Sequence, residues 1–181
     1  YGPSTMRLGI EKSRNLMTVR LAQTIGMQNV INIAKDFGIA DNMASTLASS
    51  LGAGETTLIQ LTNAYAMLVN GGKKINPTYI DRIQNRHGKT IFKNDKRVCN
   101  SCRVSYSINN IVPHVQGKIE KVADSASVYQ IVAMLKGVIE RGTGRRIREI
   151  GKPLAGKTGT TNQEKDTWFI GFSPDLVVGV F

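Results

Sequence analysis

A change of hydrophobic period partway along the chain is the feature that most limits its possible folds. In the first 70 residues apolar side chains recur three and four apart: Leu16, Val19 and Ala22, then Val30, Ile33, Ala34 and Phe37, then Leu58, Leu61, Ala64, Tyr65 and Leu68. That spacing predicts helices over about 16–25, 28–37 and 56–70, closed by Gly26, Gly38 and Gly71-Gly72. A shorter helix runs to about Lys12 from a cap at Ser4 or Thr5. Another runs from a cap at Ser125 or Ser127 to about Arg141, burying Val128, Ile131, Val132, Leu135 and Ile139. Elsewhere the period is two. "TYIDRIQNRHGKTIFK" reads as a hairpin around Gly88, and "PLAGKTGTT", "TWFIGFS" and "LVVGVF" as consecutive antiparallel strands. The class is α+β, with helices flanking an antiparallel sheet. Residues 94–124 show no clear period and are expected to form a loop or small insertion within one domain over 1–181.

Composition removes several functions. No apolar run approaches the roughly 20 residues of a membrane span. The net charge of +11 is concentrated between residues 73 and 103, where nine Lys and Arg face two Asp. Only Tyr79 and Phe92 could stack on bases there, so the segment reads as a solvated basic face and no nucleic acid is expected. Cys99 and Cys102 are the only cysteines, and their spacing to His87 and His114 does not single out a metal set, so neither metal nor cofactor is expected. The opening at Tyr1-Gly2-Pro3 and the strand-like close "DLVVGVF" suggest one section of a longer polypeptide.

The chemistry centres on "GKPLAGKTGTT", Gly151 to Thr161. It contains G-x-x-x-x-G-K-T, the pattern of a phosphate-binding loop, and also K-T-G, an active-site strand of serine acyltransferases. A phosphate loop opens a helix just after a buried strand. Here Gly159, Thr160, Thr161 and Asn162 follow the lysine and make a poor helix start, while the preceding "RRIREIG" is too charged for a buried strand. A nucleotide hydrolase is thus the remote alternative, and Lys157 is assigned to a strand. Along it Lys157 and Gly159 share one parity, Thr158 and Thr160 the other. A glycine at 159 leaves room for a substrate backbone.

Acyltransferases of this type also carry S-x-N and S-x-x-K. S-x-N occurs at Ser13-Arg14-Asn15 and at Ser107-Ile108-Asn109. Ser13 falls at the break between two predicted helices, where it could serve in a cleft or as the N-cap of the second helix. No serine anywhere in the chain has a lysine three residues on.

Long blocks carry a more specific signal. "GPSTMRLGIEKSRNLMTVRLAQTIG", "ETTLIQLTNAYAMLVNGGKKINPTYIDRI", "ERGTGRR", "PLAGKTGTTN" and "DTWFIGFSPDLVVGV" resemble the transpeptidase domain of class A, 1A-type penicillin-binding proteins, in that family's order. The resemblance implies a D,D-transpeptidase that cross-links peptidoglycan stem peptides through a serine acyl-enzyme and is acylated by β-lactam antibiotics. It implies Ser13, Asn15 and Lys157 as catalytic residues: Ser13 relaying protons, Asn15 bonding the substrate amide, Lys157 anchoring and polarising. Thr158, Gly159 and Thr160 would be substrate-binding, the two hydroxyls holding the D-Ala-D-Ala carboxylate and the Thr160 N–H serving the oxyanion hole. The nucleophile and its lysine would lie upstream of Tyr1, with a glycosyltransferase domain and membrane anchor further upstream, at the periplasmic face of the bacterial inner membrane. The chain alone is then expected to be inert and prone to self-association. Cys99 and Cys102 would form a disulfide in that compartment, and Trp168 would be a packing residue. A sensor or scaffold that keeps the fold without the chemistry is the alternative.

Overall fold

The structure, a computed structural model, describes residues 2–97, 99, 120–161 and 166–181. The chain divides into two compact units, one formed by residues up to Ile75 together with Lys121–Phe181, the other by Asn76–Glu120.

The larger unit opens with three helices, α1 (Met6–Glu11), α2 (Asn15–Ile25) and α3 (Met27–Asp36). Thr5 caps α1 by accepting the Leu8 N–H. A 3-10 turn over Leu47–Leu51 leads to α4 (Leu58–Val69), whose cap is Thr57 in a reciprocal box with Gln60. Each such cap satisfies N–H groups that a first helical turn leaves unpaired. Helix α5 (Ser125–Glu140) is capped by Asp124, which accepts from Ser127 N–H, so neither predicted serine is the cap. The Ser125 hydroxyl instead donates to the Gly71 carbonyl. A second 3-10 turn over Arg145–Ile150, unforeseen in the sequence, precedes the sheet.

In that unit β3 (Ala155–Thr160), β4 (Thr167–Phe172) and β5 (Val177–Val180) form an antiparallel sheet in the order β3-β4-β5. The register runs from Ala155↔Phe172 to Thr160↔Thr167. Gly156 lies opposite Gly171, and a Cβ at either would strike the Phe169 ring, at 2.8 and 2.5 Å. The glycine pair therefore gives that ring its seat on the sheet.

The main core joins Leu135 and Val138 of α5 to Ala155 and Phe172, with Ile10, Tyr65, Leu68 and Val177 packed around them. Val138 is fully buried, and removing such a side chain from water is worth about 1.5–3 kcal/mol. Burial also pushes the Tyr65 phenol up to about 12. A second cluster gathers Phe37, Ala64 and Met67. Gly179 lets α4 close on β5, since a Cβ there would lie 2.2 Å from the Thr62 hydroxyl oxygen. Not every residue at helical spacing is inside: Leu16 is 63% and Ile33 53% exposed, against the expectation from periodicity. Lys73 and Lys121 pair as an antiparallel bridge where the intervening unit leaves and rejoins.

In the smaller unit β1 (Arg82–Gln84) and β2 (Thr90–Lys93) form the predicted hairpin, with Gly88 at φ 77° in its turn and a bulge at Ile83/Gln84. Both strands are exposed along their length, so the alternation there does not separate inside from outside. Cys102, His114 and Ser107 lie outside the described residues, as does Asn162.

Candidate active site

The site forms where the end of α1, the end of α5 and the strand β3 converge. Helix α1 stops in a Schellman turn: Ser13 N–H donates to the Ile10 carbonyl and Arg14 N–H to the Gly9 carbonyl. That turn places its fifth residue in the left-handed region, usually as glycine. Here the position is Ser13, at φ 50°, the one non-glycine residue with positive φ among the described residues. The conformation costs of order 1–3 kcal/mol for a residue with a Cβ, and such strain gathers at functional positions. Ser13 is not the cap of α2; Arg14 holds that place and makes no side-chain capping bond. The Ser13 hydroxyl instead accepts a 2.8 Å hydrogen bond from Lys157 Nζ.

Lys157 reaches that hydroxyl from β3, two residues beyond Ala155 on the same strand face. Its ammonium also donates to the Thr158 carbonyl at 2.7 Å. The lysine is partly buried, and desolvation lowers its pKa below the ordinary value. Thr158 and Thr143 share a 2.7 Å hydroxyl–hydroxyl bond, which leaves one hydroxyl hydrogen of the pair free for an anionic acceptor.

Strand β3 is the sheet edge among the described residues. Thr161 N–H donates to the Asp166 carbonyl on the β4 side. Backbone N–H groups alternate along a strand, so Thr160 N–H points from the open edge, where a donor to an oxyanion would be required. Thr160 and Gly159 are exposed. A Cβ at Gly159 would meet only the Trp168 side chain, at an ordinary 3.6 Å, so the fold does not demand glycine there. Trp168 packs edge-on against Phe181 with ring centroids 5.0 Å apart. Asn15 opens α2 and is exposed.

These contacts settle the geometry of the lysine. Gly156-Lys157-Thr158 lie within a strand and not at the start of a helix, so the backbone cradle of a phosphate loop is absent. Of the six residues singled out in the sequence, Ser13 and Lys157 are in direct contact, Thr158–Thr160 continue the same strand, and Asn15 follows Ser13 on the next helix.

Three neighbours escaped the sequence reading: Glu11, Arg141 and Thr143. Thr143 sits within "ERGTGRR" as an ordinary polar residue. Glu11 did leave a signal, because an acid in the last turn of a helix opposes the macrodipole and calls for a compensating cation. The Arg141 guanidinium supplies it, and its own pKa is raised by hydrogen bonding to Glu11.

Comparison with known proteins identifies the family. Residues 1–180 match the family model described as the penicillin binding protein transpeptidase domain. A relative named penicillin-binding protein 1A in Rickettsia bellii (strain RML369-C) is 47% identical over 99% of this chain, which spans 23% of that protein. The crystal structure of penicillin-binding protein 1A from Haemophilus influenzae superposes with a TM-score of 0.81 at 30% identity, over 99% of this chain and 30% of that one. Penicillin-binding protein A from M. tuberculosis, described as an imipenem acyl-enzyme complex, shares the fold with a TM-score of 0.67 at 17% identity, over 94% of this chain and 40% of that one. The chain belongs to the penicillin-binding protein transpeptidase domain family.

Proposed function

We propose that the polypeptide carrying this chain is a serine D,D-transpeptidase that cross-links peptidoglycan stem peptides at the periplasmic face of the inner membrane. The observation that carries the proposal is the Lys157–Ser13 contact at 2.8 Å on an open strand edge. The chain spans about a quarter of the first relatives it matches and has no S-x-x-K, so the nucleophilic serine and its lysine are assigned to another part of the polypeptide.

In the proposed reaction that serine's oxygen attacks the carbonyl carbon of the penultimate D-Ala while its proton passes to the lysine of the same S-x-x-K sequence. The C–N bond to the terminal D-Ala then breaks, leaving an acyl-enzyme. The amine of a second stem peptide attacks the ester, and the serine oxygen leaves with a proton. Because Lys157 donates to the Ser13 oxygen, Ser13 keeps its own hydrogen to give to the departing amine, and the proton taken from the nucleophile replaces it. Thr158, Thr160 and the ammonium of Lys157 hold the donor's terminal carboxylate. The Thr160 N–H faces the developing oxyanion, a contribution worth about 3–4 kcal/mol in comparable sites. Asn15 bonds the substrate amide. A β-lactam enters the same way, its ring amide taking the place of the scissile bond, as the imipenem complex of the M. tuberculosis neighbour suggests.

The test is the intact mass of the polypeptide after incubation with benzylpenicillin. An adduct of one penicillin on a serine of an S-x-x-K sequence supports the proposal. A well-folded protein that gains no mass would leave a binding or scaffold role for the cleft. This chain by itself should gain none.

A further inference from the structure

We infer that the Glu11–Arg141 ion pair is a positioning device that sets the two hydroxyls bounding the cleft, Ser13 and Thr143, and this deepens the transpeptidase proposal on which it rests. Glu11 is buried, its side chain only 5% exposed, between α1 and α5. Both its carboxylate oxygens accept from Arg141, one from Nη2 and the other from Nε at 3.3 Å. The carboxylate lies directly on Gly137, where a Cβ would come within 2.1 Å of Oε1, so α5 is notched to receive it. The backbones are joined as well. Thr143 N–H donates to the Glu11 carbonyl at 3.2 Å, and Lys12 Nζ donates to the Arg141 carbonyl at 2.7 Å.

The placement is reciprocal. Ser13 stands two residues after Glu11, and Thr143 two residues after Arg141. One pair therefore fixes both exits, and the circuit closes through Ser13–Lys157 and Thr143–Thr158. Ser13 needs such support because its backbone is strained. Glu11 is buried while the Arg141 side chain is half exposed, and an ion pair so placed adds little net stability, so its use here is better explained by placement than by stability.

The experiment uses the complete polypeptide and the variant Glu11→Gln, which keeps the volume and one acceptor. Crystal structures give the Ser13 Oγ to Lys157 Nζ distance, and stopped-flow acylation by a penicillin gives the acylation rate constant separately from the initial binding constant. The expected result is loss of the Ser13–Lys157 hydrogen bond. The acylation rate constant should fall about 10- to 100-fold, the scale a displacement of about 1 Å brings, while initial binding stays within about twofold. Ser125→Ala, which removes a bond at the far end of α5, is the control for general loss of stability and should leave the rate unchanged. If Glu11→Gln does not fold, Arg141→Lys keeps the charge without the fork and should show the same split to a smaller degree. An unchanged contact, or a rate within twofold of wild type, overturns the inference. Failure of the wild type to acylate would refute the transpeptidase proposal instead, and the crystallographic distance would still decide this one.

Discussion

The strained turn at Ser13 yields a test in which stability and chemistry separate. Ser13→Ala and Ser13→Gly both delete the hydroxyl, so both lose the bond from Lys157 and both should fail to support acylation. They differ in backbone alone. At φ 50° a Cβ costs roughly 1–2 kcal/mol, which alanine keeps and glycine avoids. Glycine gives back about 0.5–1 kcal/mol through the larger freedom of its unfolded chain. The glycine variant should therefore be more stable than the alanine variant by about 0.5–1 kcal/mol, the reverse of the usual order. The wild type should exceed the alanine variant by about 1.5 kcal/mol, the value of a hydrogen bond to a charged group. Urea unfolding measures this, provided the slope with denaturant is common to all three proteins. An alanine variant as stable as the glycine variant would refute the assignment of strain to this turn.

Four further outcomes follow from named contacts. Gly137→Ala should destabilise by about 2 kcal/mol or more, although alanine is the better helix former by about 1 kcal/mol, because its Cβ must displace the Glu11 carboxylate; thermal unfolding reads the sign. Gly159→Ala should leave the melting temperature unchanged, since its Cβ finds room, yet slow acylation by crowding a substrate backbone; a melting curve and a penicillin rate decide both halves. Lys157 has a native pKa below its unfolded value near 10.4, so the unfolded chain holds its proton to higher pH and stability should rise between those two values; Lys157→Met should flatten that rise in urea midpoints taken across alkaline pH. Asp124 has a native pKa below its unfolded value, chiefly through the Ser127 N–H it accepts, so its contribution is present above about pH 4 and lost as pH falls through the native value; Asp124→Asn should weaken that part of the acid transition.

Much of the architecture was legible because local rules and tertiary packing agree. Thr57-x-x-Gln60 is a capping box in sequence and in space, and the glycines at 26, 38 and 71 stand at helix ends with positive φ. Strand β5 kept its alternation because one of its faces is committed to the helices, whereas β3 passes from buried at Ala155 to exposed at Thr160 as it leaves the core. Periodicity misplaced Leu16 and Ile33 because it marks the apolar face of a helix without saying whether anything covers it. Ser125 and Ser127 lost the cap to Asp124 because three polar candidates in four positions satisfy the same rule, and only backbone geometry chooses.

The site was half legible for a related reason. Lys157, Thr158 and Thr160 stand close in sequence, so one strand displays them together. Ser13 lies 144 residues away, and only the fold brings its hydroxyl to Lys157. What makes that meeting possible is a set of residues with no catalytic look of their own. A glycine on α5 makes room for an acid at the end of α1, and an arginine on the next turn holds it. The acid then anchors the backbone from which Thr143 emerges. Each step exchanges a small local loss, an acid against the helix dipole or a serine at positive φ, for a fixed distance between oxygen and ammonium. An enzyme of the proposed kind must hold that distance before substrate arrives, because a hydroxyl free to turn inward would pair with its own helix end and not with a departing amine.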